Sequence, residues 1–323
     1  MSTVAGTPHA PWRAAALLVA SCALFALVGA IVKALSGVHS AGEMVFYRSI
    51  VGVGVMAAWA RATGLALRTP VPGLHAQRCL AGVAALLCWF YSMGGLPLAT
   101  AMTLNATSSL WLAAYFIVIG LWRRGHRHGR PDGALLVAVA IGFAGVAAVL
   151  QPTLRADQWL HGLIGLASGL LAGVAYLQVI AIARAGEPEE RVVFYFSVVG
   201  VLLGTAMALA QGGFRLPSAA NLALLLLIGV TATWAQWLMT RAFALGRPLV
   251  NATLQYSGIA FSFLLGVAWF DDVVTPMAVT GMILITVAGV AATLRRAPIA
   301  APAFAFASTP AAPPRHSPTR SPR

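Results

Sequence analysis

The chain has 323 residues, 59% of them hydrophobic and 9% charged, with a mean hydropathy of +0.84; a soluble domain ordinarily carries about a quarter charged residues, so the polar surface to coat a water-soluble body is missing. Its apolar stretches are long and continuous, which excludes an outer-membrane barrel with its short alternating segments. The net charge of +13 sits in the connections between those stretches, where it sets topology, and nucleic acid is not an expected partner.

A span needs roughly 20 apolar residues to cross the hydrocarbon core. Ten such spans are predicted: 14–35, 43–60, 77–95, 98–122, 133–151, 161–183, 191–211, 221–242, 248–270 and 273–294. The first follows Arg13 and runs on to Lys33, beyond the apolar core of a secretory signal, and is expected to stay uncleaved. Gly94-Gly95-Leu96-Pro97 separates spans three and four, and Gly246-Arg247-Pro248 separates spans eight and nine; both are Gly/Pro breaks. After Arg295-Arg296 the chain becomes rich in Ala, Pro, Ser and Arg. Such a tail cannot bury a core and is expected to be disordered. Cys22, Cys79 and Cys88 form no CxxC pair and read as small buried hydrophobes. With the N-terminus inside, 17 of the 21 Lys and Arg lie on the cytoplasmic side, Arg78 among them, and only Arg155 and Arg215 lie outside. By the positive-inside rule both termini are expected in the cytoplasm of a cell with this protein in its inner membrane.

Spans two and seven share a pattern: Phe46-Tyr47-Arg48-Ser49-Ile50-Val51-Gly52-Val53 against Phe194-Tyr195-Phe196-Ser197-Val198-Val199-Gly200-Val201. Spans four and nine share Thr103-Leu104-Asn105 against Thr253-Leu254-Gln255, each after a Pro-Leu pair, Pro97-Leu98 and Pro248-Leu249. Spans five and ten end in Ala144-Gly145-Val146-Ala147-Ala148 and Ala288-Gly289-Val290-Ala291-Ala292. The three matches keep their order, at separations of 148, 150 and 144 residues. Five spans per half is an odd number, so the second half enters the membrane from the opposite side, as in the inverted repeats of many secondary transporters. The expected fold is an all-α membrane protein of ten transmembrane helices in two inverted five-helix repeats, residues 14–151 and 161–294, with a cytoplasmic segment 1–13 and a basic cytoplasmic tail 295–323.

On these features the chain resembles the drug/metabolite transporter superfamily in its EamA-type branch. The resemblance spans residues 14–295 and is carried by His39-Ser40-Ala41-Gly42-Glu43-Met44-Val45-Phe46-Tyr47-Arg48, by Leu96-Pro97-Leu98-Ala99 and by the Gly-rich ends of spans five and ten. It implies ten helices, cytoplasmic termini and a central cavity lined by spans one, three, four, six, eight and nine. Ser109 and Gly258 stand near the places where that family often carries proline, and Arg123-Arg124 and Asp271-Asp272 stand where it commonly carries Gly-Glu.

Polar residues inside the spans mark the candidate site. Asn251, Gln255, Gly258 and Ser262 recur on one helical face of span nine. Asn105, Ser108, Ser109 and Leu112 form a face on span four, and Thr233, Gln236, Trp237 and Thr240 a third on span eight. Buried polar groups in hydrocarbon need partners, so these faces are expected to point inward, as cavity lining or as interhelical hydrogen bonds. Asn105 and Gln255, equivalent in the two halves, are taken as the centre of a substrate site, with Asn251, Gln236, Arg48, Trp89, Tyr91, Trp111 and Trp234 beside them. Arg48 either faces this cavity or reaches the interface or Glu43; Lys33 is expected to snorkel to the interface. No Asp or Glu lies mid-span, so carboxylate-based proton coupling is not expected. Gly142, Gly145, Gly281 and Gly289 read as close-packing positions. No catalytic residue, metal or cofactor is expected, and no nucleotide-binding loop is present.

The expected function is a secondary transporter that moves a small polar, amino-acid-like metabolite by alternating access, with export favoured. Alternatives are an uptake permease for a vitamin or nucleoside-like metabolite, a non-transporting scaffold, and a lipid-acting membrane enzyme. The expected partners are the small-molecule substrate and the lipid bilayer, with a homodimer as the candidate assembly.

Overall fold

A computed structural model describes residues 11–108, 110–111, 133–150, 158–245, 251, 254–272 and 275–294. Its helices are α1 (Pro11–Leu35), α2 (Ala41–Thr63), α3 (Pro72–Gly95), α4 (Leu98–Ala106), α5 (Gly133–Leu150), α6 (Trp159–Arg184), α7 (Glu189–Ala210), α8 (Ala219–Leu245), α9 (Ser257–Phe270) and α10 (Pro276–Leu294). Among the described residues α1, α2, α3, α6, α7 and α8 are long and apolar enough to cross a bilayer, while α9 and the apolar parts of α5 and α10 are shorter. The chain is an all-helical, multi-pass membrane protein. Ser109 and Leu112, most of the latter part of the fourth span, and the tail from residue 295 lie outside the described residues.

Local signals set the helix ends. Ser40 caps α2: its Oγ accepts from the Glu43 N–H at 3.2 Å, and the Glu43 carboxylate accepts from the Ser40 N–H at 2.8 Å, a reciprocal capping box. Gly64 closes α2 in the left-handed region at φ 69°. Pro72, whose missing N–H suits a first helical turn, opens α3 five residues before the expected start of that span.

Small residues decide how closely the helices pack. Gly42, Ser49 and Gly52 on α2 face Ala208, Gly200 and Ser197 on α7: a Cβ at Gly42 would strike the backbone nitrogen of Ala208, and one at Gly200 the Ser49 hydroxyl. On α5 a Cβ at Gly145 would lie 2.9 Å from the carbonyl oxygen of Gly281 on α10. This is the small-residue packing by which helices associate in lipid. Large apolar side chains such as Leu163, Leu202, Leu226 and Ile283 point outward, as a body solvated by hydrocarbon requires.

The packing has an internal exchange symmetry. Helix α3 lies on α6 and α1 on α8; α2 touches α8 and α7 touches α3; α1 touches α9 and α6 touches α4. Each pairing becomes its companion when α1–α5 are exchanged for α6–α10, and the pairs α2–α7, α4–α9 and α5–α10 map onto themselves. The connections gather at two rims. At the α1–α2 rim, Glu43 accepts from the Arg215 N–H at 2.5 Å, and Arg215 Nη1 donates to the Val38 carbonyl at 3.0 Å. At the α2–α3 rim, Arg191 donates through Nη2 to the Ala66 carbonyl at 2.8 Å and through Nη1 to Glu187 at 2.9 Å, and Tyr195 donates to the Leu67 carbonyl at 2.9 Å. Burial alone would raise the Glu187 carboxyl pKa; hydrogen bonds from Arg191, His75 and Thr69 outweigh it and hold the group below its ordinary value.

Lys33 is paired with an acid at the end of α9. Its ammonium sits 2.5 and 2.7 Å from the two carboxylate oxygens of Asp272 and 4.8 Å from the Phe270 ring centre. Asp272 also accepts from the Leu98 N–H at 2.9 Å. One ion pair therefore ties together the ends of α1 and α9 and the start of α4.

Candidate substrate cavity

Between the rims lies a cavity of about 120 Å³, where one water needs roughly 10–15 Å³ by the same measure. Ser21, Cys22 and Phe25 of α1, Gly82 and Trp89 of α3, Met102 and Asn105 of α4, Tyr176 of α6 and Gln236 and Met239 of α8 line it, together with Gln255 and Gly258 at the approach to and start of α9. These are the spans expected to line it; α2 and α7 are added through Arg48 and Phe196.

Five of the nine sequence-predicted site residues line the cavity: Asn105, Gln255, Gln236, Arg48 and Trp89. Asn105 donates from Nδ2 to Ser168 Oγ at 3.0 Å. Gln255 hydrogen-bonds the Tyr176 side chain. Gln236 accepts at Oε1 from Arg48 Nη2 at 3.1 Å, while its own Nε2 and the indole N–H of Trp89 find no partner among the described residues.

The other four lie elsewhere. Asn251 is buried, and its Nδ2 donates to the Ala242 carbonyl at 2.6 Å; the Gln255 N–H bonds the Asn251 carbonyl at 3.1 Å, one helical turn away, and the backbone tightens only after it, where Gly258 N–H bonds the Gln255 carbonyl at 3.1 Å through the turn at residues 255 and 256. Trp234 is 36% exposed and packs with Trp59 and Trp237 on the outer surface. It stands two residues from Gln236, about 200° around the helix, so the two side chains cannot share a face. Tyr91 stands in the same relation to Trp89 and stacks on His161 at 4.8 Å near the α1–α2 rim. Trp111 packs edge-on against Phe143 of α5 at 4.9 Å. On α8, Thr233 and Thr240 bond back to their own helix and Trp237 donates to Glu190 at 3.0 Å, which leaves Gln236 as the lining member of that predicted stripe.

Arg48 is 3% exposed and points into the cavity, away from the interface and from Glu43. Beside it stands Arg78, also 3% exposed, which the charge count had placed in a cytoplasmic connection. Pro72 was the signal for it: a helix begun there carries Arg78 nearly two turns into the span. The two guanidinium carbons lie 5.1 and 4.7 Å from the centre of the same Phe196 ring. Arg48 Nε and Arg78 Nε and Nη1 have no hydrogen-bond partner, and neither arginine forms an ion pair among the described residues. Among the described residues no acidic side chain lines the cavity. A cation at mid-membrane costs ~2.5–3.5 kcal/mol on insertion scales, and the ring face returns only ~0.5–2 kcal/mol by cation–π attraction. The cavity is therefore strongly electropositive and supplied with unused donors.

No protein-family model matches the chain. Across 277 residues it is 31% identical to the pseudopaline exporter CntI of Pseudomonas aeruginosa, which covers 85% of this chain and 94% of that protein. It is 31% identical over 179 residues to a riboflavin transporter of Rhizobium johnstonii, covering 55% of this chain and 56% of that one. A transporter of Helicobacter pylori is 23% identical over 273 residues, with 82% and 89% covered. A solved crystal structure has the same fold at a TM-score of 0.63 and 19% identity, over 89% of this chain and 100% of that chain. With its apolar helices and this extent of identity, the chain is a small-metabolite transporter of the membrane and belongs to the family of the pseudopaline exporter.

Proposed function

We propose that the protein is an EamA-type secondary transporter of the inner membrane that exports a small polar, amino-acid-like metabolite by alternating access. Both termini are cytoplasmic in this reading, and the halves 14–151 and 161–294 move against each other about the cavity. The observation that carries it is the pair Asn105 and Gln255: equivalent in the two halves, they line one cavity from α4 and from the turn before α9. Each amide offers donors and an acceptor, which suits a polar cargo presented to either half in turn. The export activity for which the Pseudomonas relative is named favours export.

Asn105→Leu and Gln255→Leu remove polarity at nearly constant size. Both are expected to reach the membrane at near-normal abundance and to lose at least ten-fold in transport of the cargo by proteoliposomes. Normal transport in both, or disappearance of both from the membrane, would sink the assignment. A second reading, uptake of a vitamin-like metabolite, is favoured by the similarity to the riboflavin transporter. Inside-out and right-side-out vesicles, each driven by an outward or inward cargo gradient, separate the two directions.

A further inference from the structure

Among the described residues the cavity is lined by two buried cations and by no acidic side chain. Two acids at the starts of α2 and α7 are already committed: Glu43 accepts from Ser40, His39 and Arg215, and Glu187 accepts from His75 and Arg191. Among the described residues no acid forms an ion pair with Arg48 or Arg78 or lines the cavity beside them.

The two arginines arrive from opposite rims. Arg48 is the eighth residue of α2, which starts at the α1–α2 rim; Arg78 is the seventh of α3, which starts at the α2–α3 rim. Both guanidinium groups lie over the Phe196 ring, at 5.1 and 4.7 Å from its centre, while each remains anchored on its own helix. Space is kept for one of them. A Cβ at Gly82 would collide with Arg78 Nη1 and lie 2.9 Å from Phe196 Cε2, so a side chain at that place would displace the guanidinium. Arg48 is oriented by Gln236. A planar guanidinium matches a carboxylate with two parallel hydrogen bonds. The lining also includes the apolar side chains of Phe25 and Met102 and the ring of Trp89.

We propose that the cargo is a small organic dianion with two separate carboxylates, one bound by Arg48 and one by Arg78, and with its apolar body against Phe25, Trp89 and Met102. This rests on the transporter reading above and names the chemistry of the same cavity. Two fixed cations also set the selectivity: a monocarboxylate leaves one guanidinium buried without a counter-charge and is bound more weakly.

The test is calorimetric titration of the full-length protein in nanodiscs. Glutarate and phthalate are compared with valerate and benzoate, their nearest single-carboxylate counterparts, and with inorganic phosphate. Glutarate or phthalate is expected to bind at least ten-fold more tightly than its counterpart, and phosphate more weakly than either dicarboxylate. Arg48→Gln and Arg78→Gln should each abolish the preference; should either variant fold poorly, Arg48→Lys and Arg78→Lys keep the charge and should retain part of it. Gly82→Ala should weaken dicarboxylate binding at least several-fold. Equal binding of mono- and dicarboxylates would overturn the proposal, as would phosphate binding as tightly as glutarate, which would mean a single anionic group. Counterflow in proteoliposomes separates the two readings: movement of a neutral amino acid with no dicarboxylate preference defeats the dianion and leaves the transporter standing. A dicarboxylate preference in binding with no movement of any solute does the reverse.

Discussion

Arg48 and Phe196 are repeat partners, 148 residues apart, and the guanidinium of one lies over the ring of the other. An inverted repeat brings equivalent places toward its axis, so a charge in one half can rest on an aromatic ring in the other. The contrast between two tryptophans tests which side chains belong to the cavity. Trp89 lines it with an indole N–H that has no partner among the described residues, whereas Trp234 stands in the outer Trp59–Trp237 cluster. Trp89→Leu is expected to lower transport at least five-fold at near-normal abundance, and Trp234→Leu to leave transport within two-fold; equal effects in the same proteoliposome assay would contradict this placement. Asn105, Gln255, Gln236, Arg48 and Trp89 were legible because a polar or amphipathic side chain in mid-span has few places to go. Trp234 and Tyr91 lie off the cavity, because a shift of two residues turns a side chain about 200° around its helix.

At the scale of elements, α2 and α7 form a seam of small residues, and their N-terminal turns carry matching clasps of opposite charge. Glu43 and Arg191 are equivalent by the 148-residue offset. Glu43 holds a backbone N–H of the connection before α8, and Arg191 holds a backbone carbonyl of the connection before α3. The seam makes a sharp prediction within one helix. Gly42 meets the backbone of Ala208, which cannot swing away; Gly54, twelve residues on, is exposed and has nothing within 4 Å of an added Cβ. Overpacking costs ~1–3 kcal/mol. Gly42→Leu is therefore expected to lower the Tm in detergent and the membrane abundance several-fold, while Gly54→Leu leaves both unchanged or slightly higher; parallel loss in both variants would refute the seam. Helix existence was readable from apolar run length, and the Gly-rich ends of spans five and ten did mark close packing at Gly142 and Gly145. The start of α3 was misread by five residues, because an apolar window weighs hydrophobicity and gives no special weight to the proline that opens a helix.

For the whole molecule, the distribution of basic residues bears on orientation and the packing bears on symmetry. Moving Arg78 from a connection into the cavity leaves the excess of Lys and Arg on the α2–α3 rim side intact, so the positive-inside argument for cytoplasmic termini stands. Alkaline phosphatase, which is active only outside the cytoplasm, is expected to be inactive when fused after Arg323 and active when inserted after Gly213, at the α7–α8 connection. The opposite pattern would reverse the topology, and activity at both sites would break the inverted arrangement. The membrane class, the succession of apolar helices and the internal repeat follow from composition and chain order alone, because crossing hydrocarbon constrains the length and polarity of every segment in the same way. Which polar side chains share the cavity follows only from packing. That depends on the rotation of each helix about its axis and on where its first turn begins, and both are set by contacts between residues far apart in the chain. Arg78 and Arg48 stand 30 residues apart on different helices, and only the joining of α2, α3 and α7 puts both guanidinium groups on one phenylalanine ring.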